Sequence, residues 1–463
     1  MTTFEKVNEK IGKYRWTICS LLFFATTINY LDRQVLSLLQ PLLSEKFGWS
    51  NSDYANIAGT FQLVYAVAML FAGSFIDWIG TKKGYTWAII LWSVGALIHA
   101  LAVGIGGAVA PILSIFGIVL PLSVIGFMFS RMVLAIGEAG NFPAAIKTVA
   151  EWFPKKERSL STGIFNSGAN VGAILAPLTV PWIAKHLGWE AAFIIVGSIG
   201  FLWLIFWFMF YDSPKNLLTK GKISQAEYNY IHSDKDESAQ QQTNNNVKEK
   251  VSWTKLLNYR QTWSFVCGKF LTDGVWWFFL FWLPAYLKAQ YHIEGTAIML
   301  PLAVLYSMTM IGSIGGGWFP AYFMNKGMDT YKARSIAMLI IALFPLTVLL
   351  AQPLGGISMW FPVVIIGIGA SAHQAWSANI FTTVSDMFPK KAVASVTGIG
   401  GMAGGLGGFL ITKIAGKIFD HYEVLGNVET GYTIMFAFCA VAYVLAWGIM
   451  KSLVPKFKPI TDL

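Results

Sequence analysis

Four charged residues stand in apolar surroundings: Asp32 and Arg33 in INYLDRQVLSLL, and Arg131 and Glu138 in SRMVLAIGEAGNFP. The two acids can take up and release protons. The two guanidiniums stay charged and can hold an anion. If these runs cross a membrane, a charge at the bilayer centre costs from about 2.5 to over roughly 10 kcal/mol, depending on method, so it must be paired or face water. Arg131 and Glu138 lie seven residues apart, two turns or roughly 10.5 Å along one helix face. Mutual neutralisation of the four would be the plain account. Structural glue, however, does not require two acids and two arginines among so few intramembrane charges. The expectation is a water-lined cavity in which Asp32 and Glu138 take up protons and Arg33 and Arg131 hold an anion.

The elements that must position these residues are apolar runs. The chain has 463 residues, 55% hydrophobic and only 13% charged, with mean hydropathy +0.55. A soluble protein would carry about a quarter charged residues. Apolar stretches near 16–40, 55–76, 85–106, 126–150, 161–182, 189–210, 263–286, 297–321, 333–351, 359–384, 393–414 and 430–450 each approach the ~20 residues that cross ~30 Å of hydrocarbon. Lipid satisfies no exposed backbone, so all are expected to be helices. The fold class is an all-α polytopic membrane protein with twelve transmembrane helices in two six-helix halves: 1–211, a cytoplasmic linker 212–262, and 263–463. The first span, after Lys6, Lys10, Lys13 and Arg15, is too long for a signal-peptide core and reads as a retained anchor.

Threading twelve spans puts 25 of the 34 Lys and Arg on the side of the termini and five at most opposite, with four inside spans. Basic residues collect in cytoplasmic loops, so both termini are expected in the cytoplasm, in a bacterial inner membrane. The net charge of +10 is therefore a topology signal and asks for no nucleic acid. Cys19, Cys267 and Cys439 lie in apolar runs without metal spacing, so no metal site, disulfide frame or cofactor is expected. Among enzyme signatures, HExxH and GxSxG are absent from the sequence, which argues against an enzyme. The linker's AQQQTNNN is low-complexity and expected to be partly disordered. Residues 104–125 are a surplus apolar piece, read as an external membrane-hugging hairpin or a helix extension.

The two halves repeat. EWFPKKERSLSTGIFNSGANVG from Glu151 returns 235 residues later as DMFPKKAVASVTGIGGMAGGLG from Asp386. Parallel halves joined by a loop suggest a transporter rocking about a midplane site. The glycines of the second copy, Gly400 to Gly408, are expected to let helices approach closely. GSFIDWIGTKKG, with Gly73, Asp77, Gly80, Lys82 and Lys83, has the spacing of a gating loop and resembles the cytoplasmic motif of the major facilitator superfamily. Gly80 would permit the tight turn. Asp77 would pair with basic residues or cap a helix end.

Asp32-Arg33, Tyr65 in LVYAVAMLFAGSFID, and Arg131 with Glu138 resemble the anion:cation symporter family of that superfamily. The resemblance implies substrate binding by Arg33 and Tyr65 and proton coupling by Asp32 and Glu138. KFLTDGVWWFFLFWLPAYL and SAHQAWSANIFTTVSDMFP resemble the hexuronate branch, with Gly274 where the usual form has proline. Read physically, His373, Gln374, Trp376 and Asn379 put polar groups on one intramembrane helix, suited to sugar hydroxyls. Trp276 and Trp277 offer a flat surface to a sugar ring, although packing or lipid contact explains a tryptophan equally well. Lys269 and Asp273, at i,i+4, are expected to pair with each other, and Lys147 to snorkel.

The expected function is import of a small sugar-acid anion, a hexuronate, by proton symport in a lipid-embedded monomer. Arg33 and Tyr65 would take the carboxylate, with Arg131 adding positive potential. Trp276, His373, Gln374 and Asn379 would hold the sugar, with protons the only coupling species. The rivals are an aldonate or aldarate substrate, sodium coupling, and a non-transporting sensor.

Overall fold

The computed structural model describes residues 11–117, 119–233, 253–456 and 458–460. Among the described residues every regular element is helical. The first half comprises α1 (Tyr14–Phe47), α2 (Asn51–Ile79), α3 (Thr81–Ile98) continued by α4 (Ala102–Ile115), α5 (Leu122–Glu138) with α6 (Asn141–Trp152), α7 (Lys155–Leu187) and α8 (Trp189–Phe210). Three short helices follow: α9 (Pro214–Thr219), α10 (Gln225–Ile231) and α11 (Trp253–Leu256). The second half comprises α12 (Arg260–Tyr291), α13 (Met299–Asn325), α14 (Thr330–Leu343) with α15 (Ala351–Gly355), α16 (Trp360–Met387), α17 (Lys390–Val424) and α18 (Val428–Leu453).

Ten of the twelve crossings are long and apolar enough to span a membrane. The other two, α1 and α16, are 34 and 28 residues long. They carry the buried polar groups Asn29, Asp32, Arg33 and Gln34, and His373 and Asn379. Their polarity faces protein, not lipid, which is how a membrane bundle tolerates it.

The sequence repeat is also a repeat of conformation. Phe153 and Phe388 are extended (φ −125°, ψ 136° and φ −111°, ψ 143°). Pro154 and Pro389 then start the next helices at φ −63° and −62°. Proline fixes φ near that value and gives up a donor that a helix start does not use. Gly80 joins α2 to α3 at φ 88°, a positive φ that favours glycine.

The face on which α1 begins and α18 ends is the terminal face. On the opposite, far face the halves are bolted together. The Asp420 carboxylate accepts from the Asn51 and Ser52 N–H groups at 2.7 and 2.9 Å. Asn51 Nδ2 donates to Glu423 at 2.7 Å, and Tyr54 OH donates to the Phe281 carbonyl at 2.8 Å. Lys288 Nζ reaches Glu45 at 2.8 Å, and Lys413 contacts Asn56. Deeper in, Gly405 of α17 packs so close to Ala66 of α2 that a Cβ would collide. Towards the terminal face, no hydrogen bond or ion pair among the described residues joins the two halves. Among the described residues, the hydrogen bonds and ion pairs between the halves thus lie from the far face to mid-depth, where Gln62 Nε2 donates to Thr412 at 3.0 Å.

Two expectations are refined. Residues 212–262 are not simply a polar loop. Ser213 and Ser224 accept from the Asn216 and Glu227 N–H groups and cap α9 and α10. Arg15 then ties α10 to the first half through Glu227 at 3.5 Å and to Glu157 at 2.8 Å. The AQQQTNNN stretch lies outside the described residues. Of the two readings of 104–125, the helix extension holds. Thr81–Ile115 is a continuous 35-residue crossing, about 52 Å at 1.5 Å per residue, which outruns ~30 Å of hydrocarbon. Gly106 and Gly126 let α4 and α5 meet backbone to backbone.

A candidate substrate and coupling site between the halves

Arg33 stands near the middle of α1, and its guanidinium is held from several directions. Nε and Nη2 donate to Glu138 Oε2 at 2.8 and 2.7 Å, and Nη2 reaches Asn29 Oδ1 at 3.3 Å. Four rings surround the cation: Tyr30 at 4.7 Å, Tyr65 at 5.0 Å, Phe61 at 5.3 Å and Trp277 at 5.4 Å. Trp277 comes from the second half, so the cage closes only when α12 meets α1 and α2. Each such face attracts a desolvated cation by up to about 2 kcal/mol.

Glu138 ends α5. Pro143, two residues into α6, lacks the N–H that would bond the Ala139 carbonyl, so the helix breaks over Ala139 and Gly140 directly beside the carboxylate. Glu138 Oε1 is buried and without a hydrogen-bond partner among the described residues, as are both oxygens of Asp32. Arg131 lies on the same helix, buried, and its Nη1 and Nη2 both donate to the Arg33 carbonyl at 3.1 Å. The four charges Asp32, Arg33, Arg131 and Glu138 thus converge. Arg33 and Glu138 pair directly, Arg131 grips the backbone that carries Arg33, and Asp32 stands unpartnered.

The second-half residues are placed less uniformly. The Trp276 ring stacks on His373 at 5.1 Å and 7°, and His373 Nδ1 meets Tyr443 OH at 2.8 Å. Asn379 Nδ2 donates to the Gly316 and Ala375 carbonyls at 2.7 and 2.9 Å. Its amide is therefore spent on fastening α16 to α13, and only its oxygen is left over. Gln374 is half-buried, and Trp376 is buried against Tyr443. Lys269 and Asp273 pair at 2.6 Å, as their spacing implied. Lys147 donates to the Ile76 carbonyl at the end of α2 at 3.2 Å.

Sequence reasoning passed over Tyr30 and Phe61, and it preferred Trp276 to Trp277 as a site residue. Tyr30 is one turn before Arg33, and Phe61 is one turn before Tyr65 and stacks on it at 5.7 Å. That spacing was the available signal. In the gating loop, Gly73 has open space where a Cβ would stand, Lys83 is exposed and Lys82 Nζ lies 3.7 Å from Asp212. The Asp77 side chain lies outside the described residues. Burial alone would raise the Asp212 carboxyl, but hydrogen bonds from Lys220, Asn216 and the Ser213 N–H, with Lys82 nearby, hold it well below the usual carboxylate range.

Comparison with known proteins agrees with this architecture. A "Hexuronate transporter" of Escherichia coli (strain K12) is 29% identical over 454 residues, 96% of this chain and 95% of that one. A "D-galactonate transporter" of Escherichia coli O6:H1 is 28% identical over 421 residues, 89% of this chain and 91% of that one. A solved D-xylose-proton symporter superposes with a TM-score of 0.73 at 14% identity, covering 97% of this chain and all (100%) of that one, a likeness of fold. The Major Facilitator Superfamily profile matches residues 22–412. The chain is an integral membrane protein and belongs to the Major Facilitator Superfamily, a family of transporters rather than enzymes.

Proposed function

We propose that the protein imports a sugar-acid anion, a hexuronate, together with protons, by exposing one central site alternately to the two sides of a bacterial inner membrane. The observation that carries this reading is Arg33: a permanent cation whose ionic partner is a titratable acid, caged by rings from both halves. The relatives named for hexuronate and galactonate transport supply the substrate class. Basic loops crowd the terminal face, which is accordingly cytoplasmic, and the contacts between the halves on the far face are those of an inward-facing conformation.

Glu138 neutralises Arg33. A proton on Glu138 frees the guanidinium for a substrate carboxylate, with the Tyr65 ring beside it, while Arg131 holds the Arg33 backbone in place. Asp32, buried without a donor, is far less costly neutral than charged and acts as a second proton carrier. Gln374 and the Trp276–His373 stack face the sugar from the second half. The membrane potential opposes anion entry by about 2.3 kcal/mol per charge per 100 mV, and two protons per monoanion reverse that sign.

The test is substrate-induced proton movement in proteoliposomes with glucuronate, galacturonate, galactonate and a neutral hexose. External alkalinisation with uronates alone supports the reading. A response confined to galactonate keeps the mechanism and moves the substrate to the aldonates, a second reading that the galactonate relative favours. Uptake that follows a sodium gradient at fixed pH contradicts proton coupling.

A further inference from the structure

The mechanism above leaves one intramembrane ion pair unused. Lys269, Asp273, Trp277 and Phe281 recur at i, i+4, i+8 and i+12 along α12, a spiralling stripe in which each residue neighbours the next, about 40° further round the helix. At the deep end of this stripe Phe281 meets Phe61 edge-on at 6.4 Å. Trp277 then closes the Arg33 cage at 5.4 Å. Asp273 and Lys269 follow, one and two turns nearer the terminal face, about 6 and 12 Å along the axis. That is the face on which the described residues show no hydrogen bond or ion pair between the halves.

The pair is built into its place. Lys269 Nζ sits 2.6 Å from Asp273 Oδ2 and 4.5 Å from the centre of the Phe381 ring. The Asp273 carboxylate occupies the space left by Gly404 of α17, where a Cβ would collide with it. Asp273 is the more accessible partner, at 17% against 7% for Lys269. Two buried cations, Arg33 and Lys269, are thus each masked by an acid, at 2.7 and 2.6 Å.

We propose that Lys269 is a second anion-binding cation, a way-station that takes the substrate carboxylate from Arg33 on its way to the cytoplasm, and that Asp273 releases it by reclaiming Lys269. The chemistry fits a carboxylate or another small oxyanion. The inference rests on the sugar-acid reading and adds a sidedness to it. A cation met only on the inward path alters release and cytoplasmic affinity without altering capture from outside.

The experiment uses the full-length protein in right-side-out and inverted vesicles, with labelled galacturonate and glucuronate. Lys269→Gln is expected to raise the KM from the cytoplasmic side about tenfold and to leave the KM from outside within twofold. Asp273→Asn leaves Lys269 unopposed and should act in the opposite sense, lowering the cytoplasmic KM and slowing turnover. Lys269→Arg should restore the sidedness. If the pair is only a helix clip, both single variants lose transport equally from both sides and lose thermal stability, and the double variant Lys269→Gln/Asp273→Asn recovers both; that pattern overturns the proposal. Variants with wild-type parameters from both sides overturn it as well. Failure of the wild-type protein to move any sugar acid overturns the parent reading together with this one, which separates the two failures.

Discussion

The Asp420 carboxylate of α17 caps α2 of the other half: Oδ1 accepts from the Asn51 N–H at 2.7 Å and Oδ2 from the Ser52 N–H at 2.9 Å. A helix start offers unpaired donors and a positive dipole end, so this charge is matched to what it covers. The contact lies between the halves on the far face, so separating them there would have to break it.

Removing the bolt should shift the conformational equilibrium. Hydrogen bonds to a charged group contribute about 1.5–3 kcal/mol, and ~1.4 kcal/mol is a factor of ten in population. Asp420→Ala should therefore raise thiol labelling of Ala55→Cys from the far face by roughly tenfold, because Ala55 is buried against Gly416 in the closed interface. Cys19 and Cys439 are buried, and the half-buried Cys267 is replaced by serine to remove its background. Unchanged labelling would show that the other far-face contacts suffice.

Trp277→Ala should open the cage around Arg33. Losing one cation–π face costs about 0.5–2 kcal/mol, so the KM for substrate should rise roughly 2- to 30-fold, while Trp277→Phe should retain most of the affinity. Trp276→Ala removes the lid of His373 and not the cage, and its KM should move less. Transport assays on the three variants decide the order.

Arg131→Lys should fail to replace the arginine. Both terminal nitrogens of Arg131 reach the Arg33 carbonyl at 3.1 Å, and a lysine ammonium on a flexible stem does not reproduce that fork. Transport should fall at least about tenfold, since a misplaced Arg33 loses more than ~1.4 kcal/mol of its pairing geometry. A lysine variant with wild-type turnover would show that Arg131 acts by charge alone.

Asn379→Ala should behave as a stability variant. Its amide bonds the Gly316 and Ala375 carbonyls, and a buried bond of this kind contributes about 0.5–1.5 kcal/mol, with a further cost when its partner is left unpaired. The thermal midpoint in detergent should fall while the KM stays within about twofold, a shift below ~0.4 kcal/mol. A large KM change with unchanged stability would return Asn379 to the sugar site.

Much of this was legible in the chain. Intramembrane charge is expensive, so Asp32, Arg33, Arg131 and Glu138 stood out, and the four do converge. The Phe-Pro-Lys-Lys repeat announced the two halves because proline and an extended residue before it impose one corner geometry. The cage was not legible in the same way. Trp276 and Trp277 are adjacent, about 100° apart around the helix, and α12 is buried nearly all round, with 83% of its apolar window inside the protein. Periodicity therefore could not say which tryptophan faces Arg33. The capped helix at Gln225 was readable and was missed: Ser224 and Glu227 form an S-x-x-E start signal inside a stretch whose polarity suggested a loop. Asn379 shows a different limit, because a buried amide can serve a sugar or a neighbouring carbonyl, and only the packing of α16 on α13 decides which.

The central claim is that Glu138 exchanges a proton for its hold on Arg33, and one measurement addresses it directly: proton-driven accumulation by Glu138→Gln in proteoliposomes, alongside substrate exchange at equal pH on both sides. The account predicts that exchange persists, because a neutral glutamine leaves Arg33 free for the carboxylate, while accumulation against a gradient and substrate-induced alkalinisation are lost. Accumulation by Glu138→Gln at the wild-type level would contradict the account and remove Glu138 from the coupling mechanism.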